Sequence, residues 1–372
     1  MIKNLSFWEQ EFMTQNLDFT IIGAGIVGLS TAYFLKNKFP TSKIVVLERQ
    51  FPGSGASTKN AGFACIGSPT EILSDLEDIG ERATIDLIKM RWNGLKLLKE
   101  IISPDLMDFR NLGSKELFIN QELKNRAAQK LEYLNQIMEE ATLQQNVFSL
   151  VKNTETRGLE DVAIQCDIES QLNPMLMMYE LYRKVLEMGV QVIYGMDVKK
   201  IIPESGIAIV ADDVEIRSAQ LIVCTNGMAR DLININDLKA VRNQVLMTKP
   251  LRSLPISGNY HVDRGYIYFR SYGDRLLIGG ARNIDADTET CSTFGDNQKI
   301  INYLKTFVQY HIYQADDLEY EKQWSGILGV GSSKQPIISA ISDRTTLAVR
   351  LGGMGVAIGT GVGNKVADMI TA

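Results

Sequence analysis

The six residues Gly23-Ala24-Gly25-Ile26-Val27-Gly28 restrict this chain more than any other stretch. They fit the pattern G-x-G-x-x-G. The first glycine permits a tight turn, the second lets backbone N–H groups approach a pyrophosphate, and the third lets helix and strand pack closely. The motif alone is weak, so its context decides. Apolar residues 18–23 predict a strand before it, 25–38 a helix after it, and 43–48 a second strand. Glu48 ends that strand, roughly 20 residues beyond the last glycine, where a carboxylate accepts from ribose hydroxyls and repels a 2′-phosphate. The unit is therefore a strand–helix–strand dinucleotide site unsuited to NADP. Its helix N-terminus directs roughly half a positive charge at the phosphates. Arg49 lies either over the adenine edge or at the surface as a solvated charge.

A chain of 372 residues exceeds one simple core, so two domains are expected. Residues 1–17 predict a short helix with Leu5, Phe7, Trp8 and Phe12 apolar, packed on the surface of the body. Residues 70–104 and 122–146 read as amphipathic helices. Pro174 opens another helix through Glu187, closed by Gly189. Strands follow at Gln191–Tyr194, Ile207–Ala211 and Leu221–Cys224. From 238 to 281 strands dominate, with Tyr266–Arg270 and Arg275–Gly279 flanking a hairpin turn at Ser271–Asp274. Residues 297–314 are helical. The tail reads as strand 346–351, a Gly-rich loop 352–363 and a helix 363–371. Alternating α/β pattern thus lies at both ends and near 175–227. This assigns 1–69, 171–235 and 323–372 to a cofactor domain, and 70–170 and 236–322 to a second domain interleaved with it.

Two further segments narrow the cofactor. Gly53-Ser54-Gly55-Ala56-Ser57-Thr58-Lys59-Asn60-Ala61-Gly62, within the loop Pro52–Phe63, has almost no bulk, so a flat tricyclic ring can lie against its backbone. Arg350-Leu351-Gly352-Gly353-Met354-Gly355-Val356-Ala357-Ile358-Gly359-Thr360-Gly361 precedes the last helix and offers backbone donors and a positive helix end to a ring that gains negative charge on reduction. Together with Glu48 these point to FAD. Metal chemistry is not expected. The four cysteines form no C-x-x-C pair, and the two histidines, His261 and His311, lie near no zinc or triad motif. A net charge of −5 without a Lys/Arg block argues against nucleic acid or an anionic membrane as partner. The apolar run Ile21–Leu35 falls short of the roughly 20 residues of a membrane span. Glu9, Glu11 and Asp18 precede it, where a signal peptide would be basic. A cytoplasmic protein is expected.

On these residues the chain resembles the FAD-dependent amino-acid and amine oxidoreductases of the D-amino-acid oxidase superfamily, which includes glycine oxidase and sarcosine oxidase. The features that match are Gly23–Gly28 with Glu48, the Gly53–Gly62 loop, the helix opening at Asn173-Pro174 and Val198. Thr225-Asn226-Gly227, Trp324-Ser325-Gly326 and the Gly352–Gly363 tail continue the series in the family's order. Ser6-Phe7-Trp8 weakly resembles the γ-glutamylputrescine oxidoreductase-like branch. The resemblance implies an α/β plus α+β fold: a Rossmann-like FAD-binding domain with a six-stranded antiparallel-sheet substrate domain above it. It implies cofactor contacts from Gly23, Gly25, Ile26, Val27, Gly28, Glu48, Arg49, Ser57, Asn60, Ala61 and Gly62. Further contacts are implied from Val198, Thr225, Asn226, Gly227, Gly326, Gly353, Met354, Gly355, Val356 and Ala357. The implied reaction moves hydride from a carbon bearing an amine to the flavin, after which the imine hydrolyses. No strong general base is required.

Departures from the family bear on substrate and acceptor. Where amino-acid oxidases often hold a carboxylate-clamping Arg, this chain has Ile327-Leu328. The strand Leu276-Leu277-Ile278-Gly279 lacks the oxygen-activating Lys of sarcosine-oxidase-like members. No Cys stands near Lys334-Gln335-Pro336, which implies non-covalent FAD. The α-amino-acid substrate and oxygen as acceptor therefore stay open. Tyr266, Tyr268 and Arg270 alternate along one strand and share a face. Arg270 and Arg282 are the candidates for a substrate carboxylate, with sheet packing as the plainer reading of Arg270. Tyr268 closes the pocket, Met354 touches ring or substrate, and Lys334 is a further candidate from the tail side. His261 is read as structural. The expected function is oxidation of a C–N bond in a small amine or amino acid, with oxygen or an electron carrier as acceptor. The alternatives are a dehydrogenase, a flavin module acting on a macromolecule, and a non-catalytic flavoprotein.

Overall fold

Apart from exposed Asp18 and half-buried Glu48, Leu17–Ile22 and Ile44–Glu48 are buried and mainly apolar, as expected of strands covered on both faces. The computed structural model describes residues 6–50, 53–210, 214–315 and 317–370. Leu17–Ile22 pairs in parallel with both Ile44–Glu48 and Val214–Val223. The first sheet runs in the order Ile337–Ser342, Thr345–Val349, Val214–Val223, Leu17–Ile22, Ile44–Glu48, Gln191–Tyr194. Ile21 and Val46 belong to the core under the helices. Ile22, Val45 and Leu47 point the other way, against the strands Val198–Ile202 and Ile207–Val210.

The second sheet has eight strands, in the order Tyr320–Val330, Lys239–Thr248, Arg275–Gly280, Ile267–Tyr272, Asn259–Val262, Ser114–Leu117, Val162–Cys166, Phe148–Lys152. It is larger than the expected six strands. It is antiparallel except where Asn259–Val262 runs parallel to Ser114–Leu117. Helix Gln298–Phe307 covers one face with Ile300, Ile301 and Leu304. Tyr320–Val330 belongs here through its pairing with Lys239–Thr248, and so spans the expected boundary at 323.

Most predicted elements fall where the pattern put them, and Pro174–Glu187 keeps its predicted bounds. Ala211, Pro52 and Leu5 lie outside the described residues. Residues 70–104 divide into Pro69–Ile79 and Glu81–Ile101 at Gly80, whose φ of 80° breaks the helix. Residues 122–146 likewise hold two helices, Gln121–Gln129 and Leu131–Thr142. One of two further differences has a clear physical cause. The last helix is Gly355–Met369, so most of the Gly-rich tail is helical and not a loop. Its glycines serve close packing: a Cβ at Gly359 would sit 2.6 Å from Ile26 Cγ2, and one at Gly363 2.6 Å from Ser30 Cβ. The N-terminal helix Phe7–Thr14 forms under a Ser6/Glu9 capping box. Its Phe7, Trp8 and Phe12 are exposed and not packed on the body.

Candidate active site

Residues from both sheets line one cavity of about 900 Å³. It begins at the first βα turn. Gly23 has φ of 103°, and a Cβ on Gly28 would lie 1.9 Å from Gly23 O, so turn and helix close only with glycine at both places. Gly25, Ile26 and Val27 line the cavity, whereas Gly28 lies behind the turn. Glu48 is fixed at one end by accepting from Ala24 N (2.9 Å) and Gln50 N (3.1 Å). Arg49 and Val198 line the same end. Ser57 Oγ accepts from Ile26 N at 3.0 Å, which pins the small-residue loop to the helix N-terminus. Asn60 shapes that loop: its Oδ1 accepts from Gly62 N at 2.8 Å and its amide donates to Ala56 O and Ser57 O.

Asn60, Ala61, Gly326, Gly353, Met354, Gly355 and Val356 line the far end of the cavity. Thr225, Asn226 and Gly227 line its floor, and Asn226 Oδ1 holds the tail turn by accepting from Arg350 N and Leu351 N. Gly62 and Ala357 lie outside the lining. A Cβ at Gly62 would meet Leu172 O at 2.2 Å, and Ala357 O sits against Gly94. The cavity suits FAD on the structure's own terms. Thr225 Oγ1 and Asn243 Oδ1 are buried, line it and have no partner among the described residues. The helix Gly355–Met369 has no side-chain cap, and open space surrounds Gly352 and Gly353. Unmet buried polar atoms and uncapped backbone donors are what a polar cofactor satisfies.

Tyr268 lines the ring end, and Phe63 stands edge-on to it at 5.5 Å. Burial pushes the Tyr268 hydroxyl up to about 12, so it stays protonated. Arg282 and Tyr266 line the cavity too. Arg282 makes no ion pair or side-chain hydrogen bond among the described residues. Arg270 departs from the carboxylate reading and fits the sheet-packing one. It is buried and absent from the lining, with Nε donating to Ala61 O (2.5 Å) and Nη2 to Leu172 O (3.2 Å). Burial lowers its pKa to about 10. Arg270 thus splints the small-residue loop to the second sheet, and it is not free for a substrate.

Sequence reasoning missed a polar wall beside the ring end. Lys334, foreseen at the site, pairs with Glu71 (3.1 Å) and Asp75 (2.5 Å), and Glu71 also takes Arg91 at 3.1 Å. Burial disfavours the Glu71 anion, yet Arg91 and Lys334 outweigh it and hold its carboxyl down at about 2. Arg91 was detectable: it falls on the buried stripe of Glu81–Ile101, three residues after Ile88 and four before Leu95. Behind it, His261 Nε2 meets Glu169 Oε2 at 3.2 Å, and Glu169 Oε1 accepts from Ile66 N (2.7 Å) and Gly67 N (3.1 Å). Polar atoms of Cys65, Glu169 and His261 lie within 4.8 Å of one another.

A family model described as FAD dependent oxidoreductase matches residues 18–369. The chain belongs to this family of flavin enzymes, and its cofactor is FAD. Among solved structures it is similar to L-proline dehydrogenase from P.horikoshii, at 15% identity and TM-score 0.78, covering 96% of this chain and 94% of that one. It is similar to glycine oxidase from Bacillus cereus ATCC 14579, at 14% identity and TM-score 0.71, covering 95% and 96%. It is also similar to iminodiacetate oxidase from Chelativorans sp. BNC1, at 16% identity and TM-score 0.72, covering 94% of each. No curated protein sequence matches the chain significantly. No helix among the described residues is long and apolar enough to cross a membrane.

Proposed function

We propose that this flavoenzyme oxidises the C–N bond of a small amine or amino acid whose carboxylate is held by Arg282. The observation that carries the reading is Arg282 itself, a cation on the cavity wall with no anionic partner among the described residues. A bidentate Arg–carboxylate pair supplies energy and orientation together. Bound FAD supplies the hydride acceptor. Tyr268 and Phe63 exclude water from the reacting carbon, and Met354, at the head of the last helix, borders the same space. The similar solved structures include a proline dehydrogenase, a glycine oxidase and an iminodiacetate oxidase, whose named substrates are small carboxylated amines. Transfer of electrons to a carrier in place of oxygen is the second reading. It is favoured by Lys334, whose charge is neutralised by Glu71 and Asp75.

Arg282→Met keeps the stem and deletes the charge. With the amine that best reduces the wild-type flavin, subsaturating reduction should slow at least about tenfold, or roughly 1.4 kcal/mol. An unchanged rate removes the carboxylate assignment. A best substrate without a carboxylate removes it as well.

A further inference from the structure

We infer that His261 is the base that takes the proton from the substrate's ammonium group, with Glu169 as its positioning residue. The inference rests on the amine reading above. Strand Asn259–Val262 sets His261 directly opposite Tyr268 on one neighbour and Glu116 on the other. Its ring lines the cavity and meets Phe63 edge-on at 5.4 Å. An ionised carboxylate only accepts, so the 3.2 Å contact with Glu169 makes Nε2 the donor. In the neutral ring the basic nitrogen is then Nδ1. Nδ1 makes no hydrogen bond among the described residues, and the residue lines the cavity, which leaves this nitrogen for a bound substrate. Glu169 is itself held by two backbone N–H groups, which fixes ring orientation and tautomer together.

The groups around the ring support this role. Glu169, Glu116 and Glu71 face it from three segments, with the Cys65 thiol and the Tyr268 hydroxyl nearby. Arg91 and Lys334 offset Glu71. Burial opposes a charged imidazole, but the Glu169 hydrogen bond and these carboxylates outweigh it and raise His261 above its usual 6.5. In the step, a substrate N–H bond breaks and an Nδ1–H bond forms. The nitrogen keeps the electron pair, and the positive charge passes to the imidazole beside Glu169. An ammonium has no lone pair to drive hydride from the adjacent carbon, whereas the neutral amine has one.

The test is anaerobic single-turnover flavin reduction in the FAD-loaded wild type, His261→Asn and Glu169→Gln. It runs from about pH 6 to about pH 10, toward the pKa of a free aliphatic ammonium. Wild-type reduction should rise with pH through an ionisation above 6.5. His261→Asn should be about hundredfold slower near neutrality and recover at alkaline pH, where free amine is supplied by solution. Glu169→Gln should move the ionisation to lower pH. A purely structural role lowers the rate equally at every pH and overturns the inference. A second readout needs no turnover and no variant to fold. Nitrogen NMR of labelled histidine in the wild type should find neutral His261 as the Nε2–H tautomer. His311, whose Nδ1 donates to Arg157 O at 2.8 Å, should be the Nδ1–H tautomer. An Nδ1–H tautomer at His261 overturns the inference. If amines reduce the wild type but the variant profile is flat, only the base assignment falls. If no amine reduces it, the amine reading falls with it.

Discussion

Two arginines a dozen positions apart divide the labour of charge in this site. Arg282 lines the cavity with no anionic partner among the described residues, and Arg270 is spent on two backbone carbonyls. Arg270→Met should therefore strand Ala61 O and Leu172 O, at about 1–3 kcal/mol per orphaned group. Its signature is an earlier urea midpoint and weaker FAD retention, with substrate concentration dependence unaltered in the molecules that keep FAD. A selective rise in the substrate concentration required would instead return Arg270 to substrate binding. Glu71 makes a pH prediction. Its carboxyl is lowered from 4.5 to about 2 in the folded protein. Its stabilisation is thus full above pH 4.5 and disappears as pH falls toward 2. The linked free energy is about 3 kcal/mol. Glu71→Gln leaves Arg91 buried without its carboxylate, so stability at neutral pH should drop by about 3–5 kcal/mol. The variant should also lose that part of the acid dependence. Urea midpoints measured against pH check both, and a variant as acid-sensitive as the wild type contradicts the assignment.

At the scale of elements, glycine separates what was legible from what was not. Gly23–Gly28 announced its turn because strand, helix and Glu48 followed at the right spacing. The tail glycines from Gly352 to Gly363 carried no such punctuation, and the rule that glycine breaks helices misplaced the start of the last helix. Contact across the interface overrides propensity there: Gly359 and Gly363 let Gly355–Met369 approach Ile26–Lys38 at a distance no larger side chain permits. That Tyr320–Val330 crosses the expected boundary at 323 has a related cause, since pairing with Lys239–Thr248 is a long-range choice invisible to local pattern. The turn makes a direct prediction. Gly28→Ala puts a methyl 1.9 Å from Gly23 O, so the first βα turn must open. The purified variant should carry less than about a tenth of the wild-type flavin absorbance, because the helix N-terminus no longer meets the pyrophosphate. Full FAD occupancy would contradict the packing argument.

For the molecule as a whole, the nature of the cofactor was readable in the sequence and the polar wall of the cavity was not. Backbone turns line much of the cavity, and turns leave glycine signatures in contiguous sequence. The wall of Cys65, Glu71, Arg91, Glu169, His261 and Lys334 gathers five separated stretches of chain, and no spacing rule connects them. His261 was read as structural because it stands alone in sequence; only the fold brings Glu169 to it. What unites cofactor turn, Arg282 and this wall is a single cavity between the two sheets. The central claim is that this cavity strips hydride from a carbon bearing an amine. The measurement that addresses it most directly is anaerobic mixing of the purified yellow protein with a panel of small amines, amino acids and matched hydroxy acids, followed at the oxidised flavin band. At least one carboxylated amine should bleach the band, and replacing the hydrogen on its amine-bearing carbon with deuterium should slow the bleaching several-fold. Bleaching by hydroxy acids alone, or by no amine in the panel, would contradict the account.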